Sequence, residues 1–170
     1  MTLAELQTER LRLVAMTRAT VRADAAKDGT LAGLLDVVVP VEWPPEHWEP
    51  PVYAFLERQF VESPEVAGWN RYVVLRGEPP TLIGTVNAFP KRADEAEAGY
   101  SILAPWQGRG FATEAMGAFV DELFCEDAVA AVSAQTYPHL MASRRVLEKC
   151  GFQWVGVGDE EGTIRFRQER

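Results

Sequence analysis

The run GYSILAPWQGRGFATEA, residues 99–115, contains what an anion-binding turn is built from: a strand-like segment, two glycines one residue apart, and then helix formers. Gly108 and Gly110 have no Cβ, so main-chain N–H groups can converge on one point. The helix that follows adds unpaired N–H groups in its first turn and roughly half a positive charge at its end. Gln107, Gly108, Arg109, Gly110, Phe111, Ala112 and Thr113 form this donor stretch, with the Arg109 guanidinium as an added cation. A diphosphate fits such a turn. The lysine that completes a nucleotide-binding P-loop is missing, which argues against that class of site.

The turn must be held between a strand and a helix, and the surrounding pattern supplies both. Residues 71–75, 82–89 and 96–103 are strand-like and are separated by GEPP and PKRADE turn signals, which predicts an antiparallel meander. Residues 112–124 place Ala112, Ala115, Met116, Phe119, Val120 and Leu123 on one stripe, the pattern of a helix lying on a sheet. A strand over 130–136 follows, then a helix over 139–150 with Val146, Leu147 and Cys150 inward, stopped by Gly151. Residues 154–157 and 163–166 pair as a hairpin through GDEEG.

Upstream, residues 11–15 read as a strand and Thr17 as the cap of a helix through Val21 and Ala25, ended by Gly29. A short helical piece over 31–37 comes next. Five of the thirteen residues in VPVEWPPEHWEPP are proline, which makes this stretch an irregular loop carrying Trp43, His47 and Trp48. Pro50 and Pro51 suit a first helical turn, and Tyr53, Leu56, Phe60 and Val61 share a face of a helix ending near Glu62. The expected fold is α/β of the α+β type, a mixed, mostly antiparallel central sheet flanked by helices, with residues 1–170 as one domain.

Composition narrows the partners. At 170 residues and 47% hydrophobic, the chain can bury one core. A formal charge of -8 argues against nucleic acid and anionic membrane surfaces and suits an amine or a basic peptide. No stretch reaches the roughly 18 apolar residues of a membrane span, and the opening residues carry Glu5, Glu9 and Arg10, so a cytoplasmic location is the default expectation. Cys125 and Cys150 lack metal or disulfide spacing and read as small buried hydrophobes; no metal is expected.

Four segments in order, TERLRLV, AEAGYSIL, QGRGFATEA and ASRRVLEKCGF, resemble the GNAT superfamily of acyl-CoA N-acyltransferases, and within it the RimJ/RimL-like branch. The resemblance spans nearly the whole chain. It implies acetyl-CoA as acyl donor, its pyrophosphate on the turn from Gln107 to Thr113 and its pantetheine arm along the strand at Ile102 and Leu103. One of those two N–H groups would polarise the thioester carbonyl, an interaction worth about 3 kcal/mol to the transition state. It also implies direct transfer to the amine of a small molecule or peptide, and leaves room for a homodimer.

An amine with a pKa near 10 must lose a proton before it attacks. The resemblance points to a strand carboxylate, Glu97, as the general base, with Glu95 a weaker candidate and a structural hydrogen-bonding role as the alternative. Many relatives place a thiolate-protonating tyrosine where this chain has Leu147, and in this branch a serine one turn earlier, here Ser143, stands in. The chain departs from the branch at Leu140, where asparagine is usual, and at Ala104-Pro105-Trp106, where the proline is displaced. Leu140 and Leu147 keep a non-catalytic acyl-CoA sensor or partner-binding module on the same fold open as a second reading, and a phosphate-binding domain of another kind is a third. For the acceptor, Trp43, His47, Trp48, Tyr53 and Trp69 are candidate groove residues, with core packing as the alternative for Tyr53 and Trp69 and surface packing for His47.

Overall fold

The computed structural model describes residues 5–170; residues 1–4, part of the polar opening discussed above, lie outside the described residues. Eight strands form one sheet: β1 (Leu6–Gln7), β2 (Leu11–Ala15), β3 (Asn70–Leu75), β4 (Thr81–Arg92), β5 (Glu95–Ile102), β6 (Ala131–Thr136), β7 (Gln153–Val157) and β8 (Ile164–Glu169). Their order is β1-β2-β3-β4-β5-β6-β8-β7, and β5 with β6 is the parallel pair. Among the described residues five α-helices accompany them: α1 (Arg18–Ala26), α2 (Thr30–Leu35), α3 (Pro50–Glu62), α4 (Phe111–Leu123) and α5 (Met141–Lys149).

The middle of the sheet is buried on both sides, and side-chain alternation sorts its residues between two cores. On one side Leu13, Val73, Ile83, Ala96 and Ala98 pack under α4 and α5 with Phe111, Met116, Phe119, Val120 and Leu147. On the other, Tyr72, Val74 and Leu82 pack against α1, α2 and α3 through Val21, Leu31, Leu35, Tyr53 and Leu56. Each such side chain taken from water contributes about 2 kcal/mol. The meander, the α4 stripe and the mixed sheet agree with the sequence reading.

Several local expectations need correction. Helix α1 ends at Lys27, which takes the left-handed conformation (φ 53°) and donates its N–H to Ala23 and Asp24, while Gly29 caps α2. Val61 is 66% exposed because Gln59 takes the inward place on α3, accepting a hydrogen bond from Asn70 Nδ2 at 2.5 Å. Cys125 is exposed, since it lies beyond the last turn of α4. Trp43, Trp48 and Tyr53 do not open as a groove. They pack on one another and on Tyr72, and Trp43 Nε1 donates to the buried Asp24 carboxylate at 2.7 Å. Burial pushes the Asp24 carboxyl up, against the opposing effect of its Trp43 and Tyr72 hydrogen bonds.

The opening TERLRL segment ties the turn before α4 to the sheet. Glu114, in the first turn of α4, accepts from Thr8 Oγ1 (2.6 Å), the Arg10 N–H (2.8 Å) and Arg10 Nε (2.6 Å), while Arg10 Nη1 donates to the Arg109 carbonyl at 3.0 Å. The Arg10 guanidinium also lies 4.5 Å from the Phe111 ring centre. Burial alone would raise the Glu114 carboxyl, but these hydrogen bonds and the Arg10 charge hold it below the ordinary value. A carboxylate with a lowered folded pKa stabilises the fold above its unfolded value, near pH 4.3, and loses that contribution as pH falls through the folded value. Glu114→Gln should therefore cost about 2 kcal/mol at neutral pH in denaturant unfolding, and the gap from wild type should close under acid conditions. A gap that is independent of pH would contradict an ionised Glu114 as the tie between this segment and α4.

Candidate functional site

Strands β5 and β6 pair only over Glu95–Glu97 with Ala131–Ser133 and then part. Beyond that point β5 stays with β4 and β6 with β8, so a wedge opens between them with β5 main chain on one wall. The wedge continues as a cavity of about 790 Å³, lined by Ala98–Ile102 on β5, Gln135 on β6, the turn before α4, and α5 from Ala142 to Lys149. Unpaired main chain cannot be left dry, so this wall must be met by water or by a ligand that pairs as a strand does.

The direction of those groups follows from one hydrogen bond. Leu103 N–H donates to the Ile83 carbonyl at 2.8 Å, on the β4 side. Main-chain groups of an antiparallel strand point alternately to its two sides, so those of Tyr100 and Ile102 face the wedge. Of the two expected pantetheine contacts, Ile102 is therefore free to donate and Leu103 is engaged.

At the wide end lies the glycine turn. Gly108 (φ 71°) and Gly110 (φ 81°) both take the left-handed conformation that other residues resist, and Gly110 is the residue from which α4 starts. A Cβ on Gly108 would meet nothing within 4 Å, so that side of the turn is open space. The N–H of Gln107 is bonded to Ala104 O at 3.2 Å and its side chain to Ile102 O at 2.8 Å; Gln107 fastens the turn to β5. Among the described residues, the N–H groups of Gly108, Arg109, Gly110, Phe111, Ala112 and Thr113 have no main-chain acceptor, and only Glu114 N–H begins the helical ladder, on Gly110 O. These residues fit a diphosphate: converging donors, a helix N-terminus, and the cations Arg10 and Arg109 flanking the Phe111 ring. Arg145 and Lys149 of α5 line the same cavity.

Ser143 lies in the first turn of α5 on the cavity wall, where Tyr100 Oη donates to its Oγ at 3.2 Å. Glu97 is placed differently. Its side chain, 13% exposed, accepts from Gln135 Nε2 at 2.9 Å and pairs with Lys91 Nζ at 2.8 Å, and it reaches the cavity only through Gln135. Lys91 in turn meets Asp159 at 2.5 Å, which with Glu97 raises the ammonium above its ordinary value. Glu95 is committed to Arg165 (2.8 Å) and Arg167 (3.1 Å) and is almost wholly buried. Leu147, at the family tyrosine position, is core.

Sequence reasoning missed Tyr100, Thr8, Arg10 and Glu114. Each was inside a segment quoted for its likeness, but only the third dimension brings Thr8 to Glu114, 106 residues on.

Comparison with known proteins agrees with this geometry. The family model described as "Acetyltransferase (GNAT) domain" matches residues 10–153. An uncharacterized N-acetyltransferase of Bacillus subtilis (strain 168), YoaA, is 33% identical over 89 residues, 51% of this chain and 50% of that protein, so the chain matches about half the length of this curated relative. The fold is similar to ribosomal-protein-S5-alanine acetyltransferase from Vibrio fischeri, with TM-score 0.67, 18% identity, and coverage of 98% of this chain and 96% of that one. It is also similar to Mycobacterium smegmatis RimJ in complex with CoA-disulfide, with TM-score 0.60, 17% identity, and coverage of 94% and 81%. With its family model spanning most of the sequence and its sheet parting above a glycine turn, the chain belongs to the GNAT acetyltransferases.

Proposed function

We propose that the chain moves an acetyl group from acetyl-CoA directly to a primary amine. The observation that carries this reading is the set of unengaged N–H groups from Gly108 to Thr113 at the wide end of the wedge. Those groups take the diphosphate, and the wall formed by Tyr100 and Ile102 takes the pantetheine as an added strand. Ile102 N–H is then the donor available to the thioester carbonyl.

The amine comes from the sheet face opposite α4 and α5, where Glu97 and Gln135 stand. Glu97 takes the amine's proton through water, because its carboxylate lies behind Gln135. Ser143 gives a proton to the departing sulfur. Acceptors of the reaction are small-molecule amines or peptide N-termini, and the excess of 25 acidic over 17 basic residues favours cationic ones. Among the described residues no helix is long and apolar enough to cross a membrane; a cytoplasmic site of action is part of the same proposal.

Substituting Gly110 by valine places a branched side chain at φ 81° and a Cβ 3.4 Å from Arg10 Nη2. Calorimetry with CoA should show affinity at least about tenfold weaker, a loss of roughly 1.4 kcal/mol; undiminished affinity would contradict the cradle. Release of the CoA thiol in the presence of an amine panel tests the chemistry. Glu97→Gln should lower kcat roughly a hundredfold at neutral pH with CoA affinity unchanged, and the defect should shrink at alkaline pH, where the amine deprotonates unaided. A pH profile identical to wild type would remove Glu97 from the reaction.

A further inference from the structure

Ser143 is the third residue of α5, a position from which serine usually bonds back to its own helix. Here the N-cap is Leu140, whose side chain makes no capping bond, and the partner of Ser143 Oγ among the described residues is Tyr100 Oη of β5, at 3.2 Å. Tyr100 stands where β5 has already parted from β6, with Ala98 and Ile102 on the α4–α5 side. Both hydroxyls line the cavity.

A serine hydroxyl has one hydrogen and two lone pairs, and which group it faces decides where that hydrogen goes. We propose that Tyr100 is a positioning residue for Ser143: its hydroxyl donates to Ser143 Oγ and leaves the serine hydrogen aimed into the cleft, at the sulfur of the thioester. The inference rests on the acetyl-transfer reading above. When the carbon–sulfur bond breaks, its electron pair goes to sulfur and sulfur takes the Ser143 proton. Ser143 takes a proton from solvent in the same step, replaced from the one the attacking amine gives up, so no free alkoxide forms, one proton leaves the amine and one reaches the thiol. Tyr100 keeps its own proton throughout, and its donated bond holds the serine hydrogen on the cleft side. Burial pushes the Tyr100 hydroxyl up, against the opposing effect of the Ser143 bond, which keeps it a donor across the working range.

The test follows the thiol of bound CoA through its thiolate ultraviolet absorbance as pH is raised, in wild type, Tyr100→Phe, Ser143→Ala and the double variant. Ser101, Gln135, His139, Arg145 and Lys149 of the cavity and the Cys150 thiol that faces Tyr100 are the same in all four, and the signal of each protein without CoA is subtracted. Each single variant should move the titration up by about one pH unit, and the double variant no further, because the pair acts as one unit. Turnover should follow: kcat falls about tenfold in each single variant and no more in the double, with KM for acetyl-CoA unchanged. A Tyr100→Phe titration that coincides with wild type, or shifts that add in the double variant, would overturn the pair. If Tyr100→Phe does not fold, Tyr100→Met, which also lacks the hydroxyl, takes its place, and a thiol that titrates there as in wild type overturns the pair. Failure of wild type to bind CoA would sink the acetyl-transfer reading itself, a result distinct from normal binding with coincident titrations.

Discussion

The structure turns on backbone groups that the sheet leaves without partners. Two adjacent strands that pair for three residues and then part must expose a row of N–H and C=O groups, and such groups cannot stay buried and dry. Everything around the opening is arranged to keep that row available. β4 holds the far side of β5 as far as Leu103, β8 holds the far side of β6, and α4 and α5 roof the wedge on one face. The glycine turn extends the row of free donors around a corner, onto the end of α4.

Charge reinforces this backbone arrangement. The protein carries a formal charge of -8, yet the cavity and turn gather Arg10, Arg109, Arg145 and Lys149. An acidic protein with a basic mouth attracts a polyanionic ligand to one place while its remaining surface favours a cationic one. Arg10 is held by Glu114, and further basic side chains near the sheet are committed as well: Arg165 and Arg167 to Glu95, Lys91 to Glu97 and Asp159. That network orders the polar face of β5, β6 and β8 and fixes where Glu97 stands relative to Gln135.

Much of this was legible in the residues. The apolar stripe of α4, the meander and the strand-turn-helix passage around Gly108 and Gly110 are local patterns, so spacing and glycine placement were enough to find them. Long-range facts were not. Whether Leu103 or Ile102 faces the wedge depends on the pairing register with β4, which no pattern within β5 encodes. The aromatic residues of the proline-rich loop looked available for an acceptor, but the buried Asp24 draws Trp43 inward and the others follow it. Glu97 is a candidate by its place on the strand; its engagement with Lys91 and Gln135 depends on residues from two other segments.

Amide-resolved NMR during a CoA titration tests the central claim most directly. The account predicts that shifts and slowed hydrogen exchange concentrate at the N–H groups of Ile102, Gly108, Arg109, Gly110, Phe111, Ala112 and Thr113, while Leu103 and Gln107, whose N–H groups are already bonded within the protein, exchange as before. Perturbations that bypass the turn, or that map to another face of the molecule, would contradict it.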